Sequence, residues 1–315
     1  MATILLPRLP LPSLRLGITP IFKKQRHLLN FRINKCLSIT ATEAPQEERQ
    51  ILLQHVTPAD LPPGAVISVL TLNRPKANAM GSTMLHQLQE SLVELEDSSR
   101  TKTRCLIITS CSRKVFSAGA DLKERATMSP QQAAAFVTQL RNTMDRLARL
   151  PMPVLAAVEG VAVGGGLEIA LAADIRIASE TAVLGLPETS LAIVPGAGGT
   201  QRLPRLIGVS RAKELIFTGR RIDGVTAAEY GLVQHVVKAG QADTFAMELA
   251  KQIAKNGPVA IQAAKAAIDD GLAAADMTQA LEIERQCYER VLPTADRLEG
   301  LAAFKEGRPA VYKGE

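Results

Sequence analysis

Two glutamates lie in apolar segments, where a charged side chain is unusual. Glu168 follows the glycine run 164–166 among leucine, isoleucine and alanine, and Glu188 follows a proline at the end of the apolar segment 184–187. Burial disfavours the charged form of a carboxyl group and raises its pKa, so such groups can exchange protons near neutral pH. The neighbours of Glu168 favour burial over a solvated helix position. For Glu188, a charge on a surface loop is an equally good interpretation.

Two segments rich in small residues could place hydrogen-bond donors beside these acids. The glycine run 164–166 and segment 116–122, Phe-Ser-Ala-Gly-Ala-Asp-Leu, each stand between a predicted strand and a predicted helix. Backbone amides at a helix N-terminus lack partners within the helix and point outward, so the Gly165 amide could donate to an oxygen that gains negative charge. The structural alternative for segment 116–122 is a tight turn in which Asp121 caps the helix. Two carboxylates beside such donors suit chemistry next to a carbonyl, where amides hold an enolate oxygen and carboxylates move protons.

The elements that must position these residues alternate between apolar runs and amphipathic stretches, as in strand-then-helix units. The patterns predict strands at 50–56, 65–72, 105–109, 154–158 and 175–178, and helices at 83–97, 131–150, 167–172, 210–217, 226–231, 243–255, 259–270, 277–291 and 294–305. The chain therefore belongs to the α/β class, with a core of about 200 residues and a C-terminal helical extension.

The excess of positive charge is concentrated at the N-terminus. Residues 1–42 hold seven basic residues and no acidic one, whereas the remaining 273 residues carry 30 basic and 31 acidic residues. An arginine-bearing, acid-free segment with four prolines is typical of an organelle transit peptide, and its two serines favour a mitochondrial address over a plastid one. The alternative is a basic arm that binds RNA. No apolar run reaches the ~18 residues of a membrane-spanning helix, so no membrane insertion is expected.

The pattern of cysteines and histidines predicts neither a metal site nor a Ser-His-Asp triad. The four cysteines lack Cys-x-x-Cys spacing, and His55, His86 and His235 stand alone in the sequence. The glycine run also lacks the spacing of a dinucleotide fingerprint and the Gly-Lys-Ser/Thr ending of a P-loop. We therefore expect no metal and no separate cofactor.

Four motifs resemble the crotonase, or enoyl-CoA hydratase/isomerase, superfamily in their order and spacing. They are Ser-Ala-Gly-Ala-Asp-Leu-Lys-Glu-Arg at 117–125, Gly-Gly-Gly-Leu-Glu-Ile-Ala at 164–170, Leu-Pro-Glu at 186–188 and Pro-Gly-Ala-Gly-Gly-Thr-Gln-Arg-Leu-Pro-Arg at 195–205. Within the superfamily, segments 212–217 and 296–306 are most similar to methylglutaconyl-CoA hydratases of the type that also binds AU-rich RNA. The resemblance covers about residues 50–315.

This resemblance implies a crotonase-like spiral of β-β-α units, followed by helices that build a homotrimer or a homohexamer. The implied organisation is a transit peptide at 1–42, a linker at 43–49, the spiral core at 50–250 and a helical trimerisation region at 251–315. The implied reaction is addition of water across the 2,3 double bond of an acyl-CoA, either a simple 2-enoyl-CoA or methylglutaconyl-CoA. Coenzyme A then enters as part of the substrate.

The resemblance also implies roles for particular residues. Ala120 and Gly165 supply the two amides of an oxyanion hole, and Glu168 and Glu188 match the paired glutamates of hydratases. We expect ionised Glu168 to deprotonate water and protonated Glu188 to deliver a proton to the α-carbon. The implied CoA contacts are Lys76, Ala77, Ala118, Ala120, Asp121, Leu122, Lys123, Gly165 and Lys305, the last from a neighbouring subunit.

Two features depart from the family pattern. The segment 74–79, Arg-Pro-Lys-Ala-Asn-Ala, has one residue fewer between its proline and asparagine than family members commonly have. The helix predicted after it has no lysine between residues 83 and 99, and an RNA footprint needs clustered positive charge. The alternative enzymatic function is that of an enoyl-CoA double-bond isomerase. An organellar RNA-binding protein is a less favoured alternative, because this helix lacks the positive charge that RNA binding needs.

Overall fold

A computed structural model describes residues 49–97 and 101–315 of the chain. The predicted transit peptide, residues 1–42, lies outside the described residues, as do residues 43–48 of the predicted linker. Both therefore remain predictions.

Within the described ranges, the strands form one six-stranded and one four-stranded sheet. The large sheet has the order β1-β2-β3-β5-β7-β10, and all its neighbouring strands are parallel except β1 and β2. The small sheet has the order β4-β6-β8-β9, with β4, β6 and β8 parallel. The strands are β1 (Ile51–Val56), β2 (Val66–Leu72), β3 (Thr103–Ser110), β4 (Val115–Ser117), β5 (Val154–Val158), β6 (Val161–Val163), β7 (Ile175–Ser179), β8 (Val183–Gly185), β9 (Ile222–Asp223) and β10 (His235–Val237).

Helices follow the strands in the described part of the chain. They are α1 (Ser82–Glu96), α2 (Leu122–Ala126), α3 (Pro130–Ala148), α4 (Gly165–Ala172), α5 (Gly199–Ile207), α6 (Val209–Thr218), α7 (Gly224–Glu229), α8 (Ala242–Ala254), α9 (Pro258–Ala273), α10 (Met277–Glu289) and α11 (Ala295–Glu306). A 3-10 turn at Glu188–Leu191 follows β8.

After β1, β2 and α1, each of the next three turns uses one strand of the large sheet, one strand of the small sheet and then a helix. The succession β3-β4-α2 is repeated as β5-β6-α4 and as β7-β8 with the 3-10 turn and α5. Parallel pairing brings the equivalent strands of successive turns side by side. The predicted spiral of β-β-α units is confirmed.

The core fills the space between the sheets and their helices. One face of α1 is apolar and buried, since Leu88, Leu92 and Leu95 are at most 1% exposed. On the other side of the large sheet, α8 presents alanines at every fourth position from Ala242 to Ala254, and all are buried. Small side chains at this spacing allow the helix to pack closely against the strands. Residue 250, the predicted end of the spiral core, lies inside this helix.

The small sheet determines where the site forms. Because β4, β6 and β8 are parallel neighbours, their carboxyl ends lie at the same edge, and ligands of open α/β sheets bind at such edges. The chain leaves these three strands through segments 118–121, 164–165 and 186–188 respectively. Segments far apart in the sequence are thereby brought together.

The C-terminal helices carry much of the apolar surface that the described residues leave exposed. Leu272 of α9 is 85% exposed and Phe304 of α11 is 89% exposed. Helices α9 and α10 pack against each other after α8. Among the described residues, none of the helices combines the length and the apolar character that crossing a membrane requires.

Candidate active site

A cleft at the carboxyl edge of the small sheet contains all four predicted catalytic residues. Ala120, Gly165, Glu168 and Glu188 line one open space of about 670 Å³. The predicted contacts Ala118 and Leu122 also line it. Most of the remaining lining is apolar and comes from α3, from the end of the 3-10 turn and from the segment after it, with Val137, Leu140, Leu191, Ile193 and Val194.

Two backbone amides at this cleft have no acceptor among the described residues. Gly165 is the first residue of α4, so its N–H has no partner within the helix. Ala120 pairs with Met80 in an isolated parallel bridge. The bridge consists of hydrogen bonds from Met80 N to Gly119 O and from Asp121 N to Met80 O, and neither of them uses the Ala120 amide. The two are close together, because a Cβ on Gly165 would lie 3.5 Å from Ala120 N. Two adjacent donors without partners can hold one oxygen between them.

Gly119 brings these two amides together, a role that sequence reasoning did not assign. Its φ of +85° lies in the left-handed region, and a Cβ at this position would lie 2.8 Å from both Gly165 N and Val163 O. Any larger residue would strain the backbone and push the two segments apart. The signal was present in the Ser-Ala-Gly-Ala-Asp motif, where a glycine directly precedes the predicted donor.

Glycine is required in the run 164–166 because other groups of the protein pack closely against both of its sides. Gly164 has φ +56°, and a Cβ there would lie 3.1 Å from Oε1 of Glu188. A Cβ on Gly166 would collide with the carbonyl oxygen of Ser117 at the end of β4. Glycines in these places let α4 begin directly against β4 and beside the second carboxylate.

Glu168 is 2% exposed and its carboxylate is held by the backbone. Its Oε1 accepts hydrogen bonds from Ala197 N and Gly199 N, both at 2.8 Å. Burial raises the pKa of Glu168, while the two amide hydrogen bonds and the nearby Arg202 and Arg141 oppose this rise. Burial is the larger effect, so the pKa of Glu168 stays above its usual value despite these contacts.

Two arginines hold the loop that binds Glu168. Arg202 donates from Nη1 to Ala197 O at 3.0 Å and from Nη2 to Asp145 Oδ1 at 2.5 Å. Arg141 donates from Nε to Gly196 O at 3.1 Å. Sequence reasoning quoted the motif 195–205 but gave Arg202 no role, because no pattern shows that this arginine turns back onto its own loop.

Glu188 is half-buried and held less firmly than Glu168. It begins the 3-10 turn after β8, and among the described residues its Oε2 has no hydrogen-bond partner. Burial and, to a smaller extent, the neighbouring Glu168 raise the pKa of Glu188 to about 7. The two glutamates thus share a cleft and differ in the hydrogen bonds they receive.

The predicted CoA residues divide between the cleft and the loops beside it. Ala118 N donates to Ala77 O at 2.9 Å, so Ala77 and the adjacent Lys76 lie next to the cleft segment. Asp121 caps α2 by accepting from the amides of residues 123 and 124 and pairs with Arg74 at 2.6 Å. This pairing holds the pKa of Asp121 below its usual range. None of Lys76, Ala77, Asp121, Lys123 or Lys305 is among the residues that line the cleft.

The shortened segment 74–79 is built around a buried asparagine. Asn78 accepts from Arg74 N at 2.7 Å and donates from Nδ2 to Phe116 O at 2.9 Å. Both Lys76, with φ 73°, and Asn78, with φ 47°, adopt the left-handed conformation. The hydrogen bond from Asn78 to Phe116 O ties the segment to β4.

Lys305 lies exposed in the last turn of α11. Its predicted contact with CoA bound to a neighbouring subunit remains a prediction. Within residues 49–97 and 101–315, no cluster of three or more histidine, cysteine, aspartate or glutamate side chains could hold a metal ion.

The chain is similar to known proteins over most of its length. A family model described as enoyl-CoA hydratase/isomerase matches residues 63–315. The Arabidopsis thaliana protein named "Probable enoyl-CoA hydratase 2, mitochondrial" is 47% identical over 286 residues, which are 90% of this chain and 92% of that protein. The human protein named "Methylglutaconyl-CoA hydratase, mitochondrial" is 48% identical over 254 residues, 79% of this chain and 74% of that protein.

A solved structure is similar to most of this chain. The crystal structure of an enoyl-CoA hydratase from Bacillus anthracis superposes with a TM-score of 0.80 at 49% sequence identity. The match covers 85% of this chain and 100% of the bacterial chain.

Proposed function

Because the chain belongs to the enoyl-CoA hydratase/isomerase family, we propose that it adds water across the 2,3 double bond of a 2-enoyl-CoA. One observation carries this proposal. Two amides without acceptors and two carboxylates, one of them with a pKa of about 7, face the same cleft. The names of the relatives support hydratase activity. We assign the roles of the individual residues from the geometry of the cleft.

The amides act on the thioester oxygen. When water attacks C3, negative charge moves onto that oxygen, and Ala120 N and Gly165 N are placed to donate to it. Each donor of an oxyanion hole is generally worth about 3–4 kcal/mol of transition-state stabilisation. These donors need little reorganisation, since strand pairing and the start of α4 already fix them.

The carboxylates divide the proton transfers between them. Glu168, ionised and fixed through Oε1 by two amides, leaves Oε2 to accept a proton from the attacking water. The water oxygen bonds to C3, and the electrons of the double bond reach the thioester oxygen as an enolate. Glu188, protonated, then donates its proton to C2 and restores the thioester. Passage of the proton from Glu168 back to Glu188 resets the pair, and no cofactor beyond the CoA of the substrate is needed.

Variants of the two glutamates test the proposal. Wild-type protein should hydrate crotonyl-CoA, seen as loss of the absorbance of the conjugated enoyl thioester. Glu168→Gln and Glu188→Gln should each lower kcat by about 100-fold or more, the range for general acid–base groups, while acyl-CoA binding persists. Near-normal turnover in both variants would refute the assigned pair.

A second substrate distinguishes the alternative reaction. An isomerase moves the double bond of a 3-enoyl-CoA into conjugation without adding water, and a single carboxylate suffices for this. Gain of conjugated absorbance from 3-hexenoyl-CoA, together with no loss from crotonyl-CoA, would make the chain an isomerase. Hydratase is favoured because both carboxylates face the cleft.

We further propose a mitochondrial enzyme that assembles as a homotrimer or a homohexamer. The composition of residues 1–42 and the mitochondrial names of relatives in plants and mammals support the location. The exposed apolar side chains of α9 and α11 support assembly through the C-terminal helices. Light scattering of the chain without residues 1–42 tests assembly, and salt-dependent RNA binding by the same protein would revive the RNA-binding alternative.

A further inference from the structure

The two oxyanion amides are held in different ways. Gly165 is the first residue of α4, so the helix fixes the direction of its N–H. Ala120 lies between β4 and α2, and an isolated bridge joins it to Met80. Residues 77–80, on the other side of this bridge, precede α1 and form no regular element of their own. A bridge between two irregular segments fixes an amide only if further contacts hold both segments.

The side chain of Arg74 joins the two segments of this bridge. Its Nη1 donates to Ala79 O, and its Nη2 donates to Asp121 Oδ2 at 2.6 Å. Ala79 lies in the first segment, and Asp121 directly follows Ala120 in the second. A Cβ on Gly81 would lie 3.2 Å from Arg74 Nη1, so this glycine leaves room for the guanidinium. Because a guanidinium is planar and rigid, it fixes its two acceptors relative to each other.

The carboxylate of Asp121 also connects this segment to α2. While Oδ2 accepts from Arg74, Oδ1 accepts from Lys123 N at 3.0 Å and from Glu124 N at 3.2 Å, at the start of the helix. The side chains of Arg74 and Asp121 are 26% and 16% exposed, so water screens this pair less than a pair on the open surface. Asp121 is thus fixed to the guanidinium and to α2 at once.

Neither Arg74 nor Asp121 is among the described residues that line the cleft, so neither is placed to touch the reacting atoms. We propose that they form a positioning pair, which fixes the direction of the Ala120 amide and so sets how strongly the oxyanion hole binds the thioester oxygen. This inference rests on the proposed hydratase function. A donor stabilises the transition state most when it already points at the oxygen, because no reorganisation is then needed. Asp121 acts through Ala120 and not through the CoA contact that the resemblance implies.

Two other roles for the pair predict different measurements. If the ion pair only stabilises the fold, its loss lowers the free energy of unfolding and leaves kcat of the folded protein unchanged. If Asp121 contacts CoA, its loss raises KM for acyl-CoA and leaves kcat unchanged. The positioning role predicts a lower kcat with KM nearly unchanged, since the lost interaction is made in the transition state.

The kinetic test measures hydration of crotonyl-CoA by variants of the pair. Arg74→Gln should lower kcat by about 10- to 100-fold, somewhat less than the loss of a whole oxyanion donor, with KM within about threefold of the wild-type value. Asp121→Asn, which keeps the shape and removes the charge, should also lower kcat. The double variant should lose no more than the larger of the two single losses, because both changes act through one pair. Arg74→Lys should restore part of the loss.

Arg146→Gln is the matched control. Arg146 donates from Nε and Nη2 to the two carboxylate oxygens of Glu96 at 2.8 and 2.9 Å, so this variant also removes an arginine–carboxylate pair between two elements, here α3 and α1. Neither residue lines the cleft, and kcat should stay unchanged. Denaturant unfolding of every variant separates a loss of stability from a loss of kcat. Asp121→Asn and Arg74→Lys, the smaller changes, cover the case in which Arg74→Gln fails to fold.

A bound chromophore reports the oxyanion hydrogen bonds directly. The absorbance of 4-(dimethylamino)cinnamoyl-CoA moves to longer wavelength when its thioester oxygen accepts hydrogen bonds, because these polarise the conjugated system. At saturation, the wild-type protein and Arg146→Gln should show the full shift, and Arg74→Gln and Asp121→Asn a smaller one.

A full shift in both variants of the pair would overturn the positioning role, whatever happens to kcat. A rise in KM with unchanged kcat would overturn it too and would assign Asp121 to CoA binding. Failure of the wild-type protein to hydrate crotonyl-CoA would instead overturn the proposed function. In that case the shift of the bound chromophore still decides whether Arg74 directs the Ala120 amide.

Discussion

Replacing Glu188 by glutamine should stabilise the protein at pH 8 while it abolishes most of the hydratase activity. Burial places the pKa of this carboxyl group at about 7, compared with 4.5 for a glutamate in water. The folded protein therefore keeps a proton that the unfolded chain releases. Glutamine has nearly the same shape and no charge, so it removes the cost of ionising this half-buried group.

The sign and the size follow from proton linkage. Below about pH 4.5 the Glu188 carboxyl is protonated in both the folded and the unfolded protein. Between pH 4.5 and 7 only the folded protein holds this proton. The stability of the wild-type protein therefore falls as pH rises through this window. The difference in pKa corresponds to roughly 3 kcal/mol at 1.36 kcal/mol per pKa unit. Partial exposure of Glu188 screens its charge, so we expect about 1–2 kcal/mol.

The test compares unfolding of the wild-type protein and Glu188→Gln at pH 4.5 and pH 8, at one protein concentration. Glu188→Gln should gain about 1–2 kcal/mol relative to wild type between the two conditions. Glu229→Gln, an exposed position on α7, serves as the control and should show no such gain. A constant difference between Glu188→Gln and wild type at both pH values would refute the reasoning, whatever happens to activity.

Three further predictions concern the parts of the site that surround Glu188. Gly119→Ala should lower kcat about 100-fold or more, because its Cβ would lie 2.8 Å from the second oxyanion amide. The control is Gly64→Ala, which also has a positive φ, +79°, but open space around it, and it should leave kcat unchanged. Equal losses of kcat in the two variants would contradict the role of Gly119. Arg202→Gln should move the acid limb of the kcat/KM profile to higher pH, since Arg202 lowers the pKa of Glu168; an unmoved limb argues against this role. Wild-type kcat/KM for hydration should fall above about pH 7 as Glu188 loses its proton, and the residual activity of Glu188→Gln should lack that limb.

Periodicity could predict the first five strands of the large sheet along the chain and the helices beside them, but not its short edge strand β10. The predicted strand at 154–158 has the bounds that the structure gives β5, and the helix predicted at 83–97 differs from α1 by one residue at each end. These segments are long or fully buried, so their apolar pattern is a direct consequence of packing. Their boundaries differ by at most a few residues, as is usual where ends are set by capping.

The small sheet could not be predicted in the same way. Strands β6 and β8 each have three residues, and β9 has two, which is too short to show alternation. Their pairing depends on contacts between successive turns of the spiral. Helix α5 was also missed, because it begins at Gly199 and contains Pro204, residues that normally indicate a loop. From the sequence, the edge that forms the site could therefore be predicted only through the family resemblance.

The different tasks proposed for the two glutamates depend on their backbone neighbours. In the sequence, each is a glutamate in an apolar segment beside glycine or proline, and nothing in these surroundings tells an acid from a base. In the structure, Glu168 receives two amide hydrogen bonds from the loop at 197–199, and Arg202 stands behind that loop. Glu188 begins a 3-10 turn, and no described group donates to its Oε2. Because amide donors stabilise a carboxylate and burial stabilises a carboxylic acid, we propose that the loop at 197–199 makes Glu168 the more readily ionised of the two glutamates.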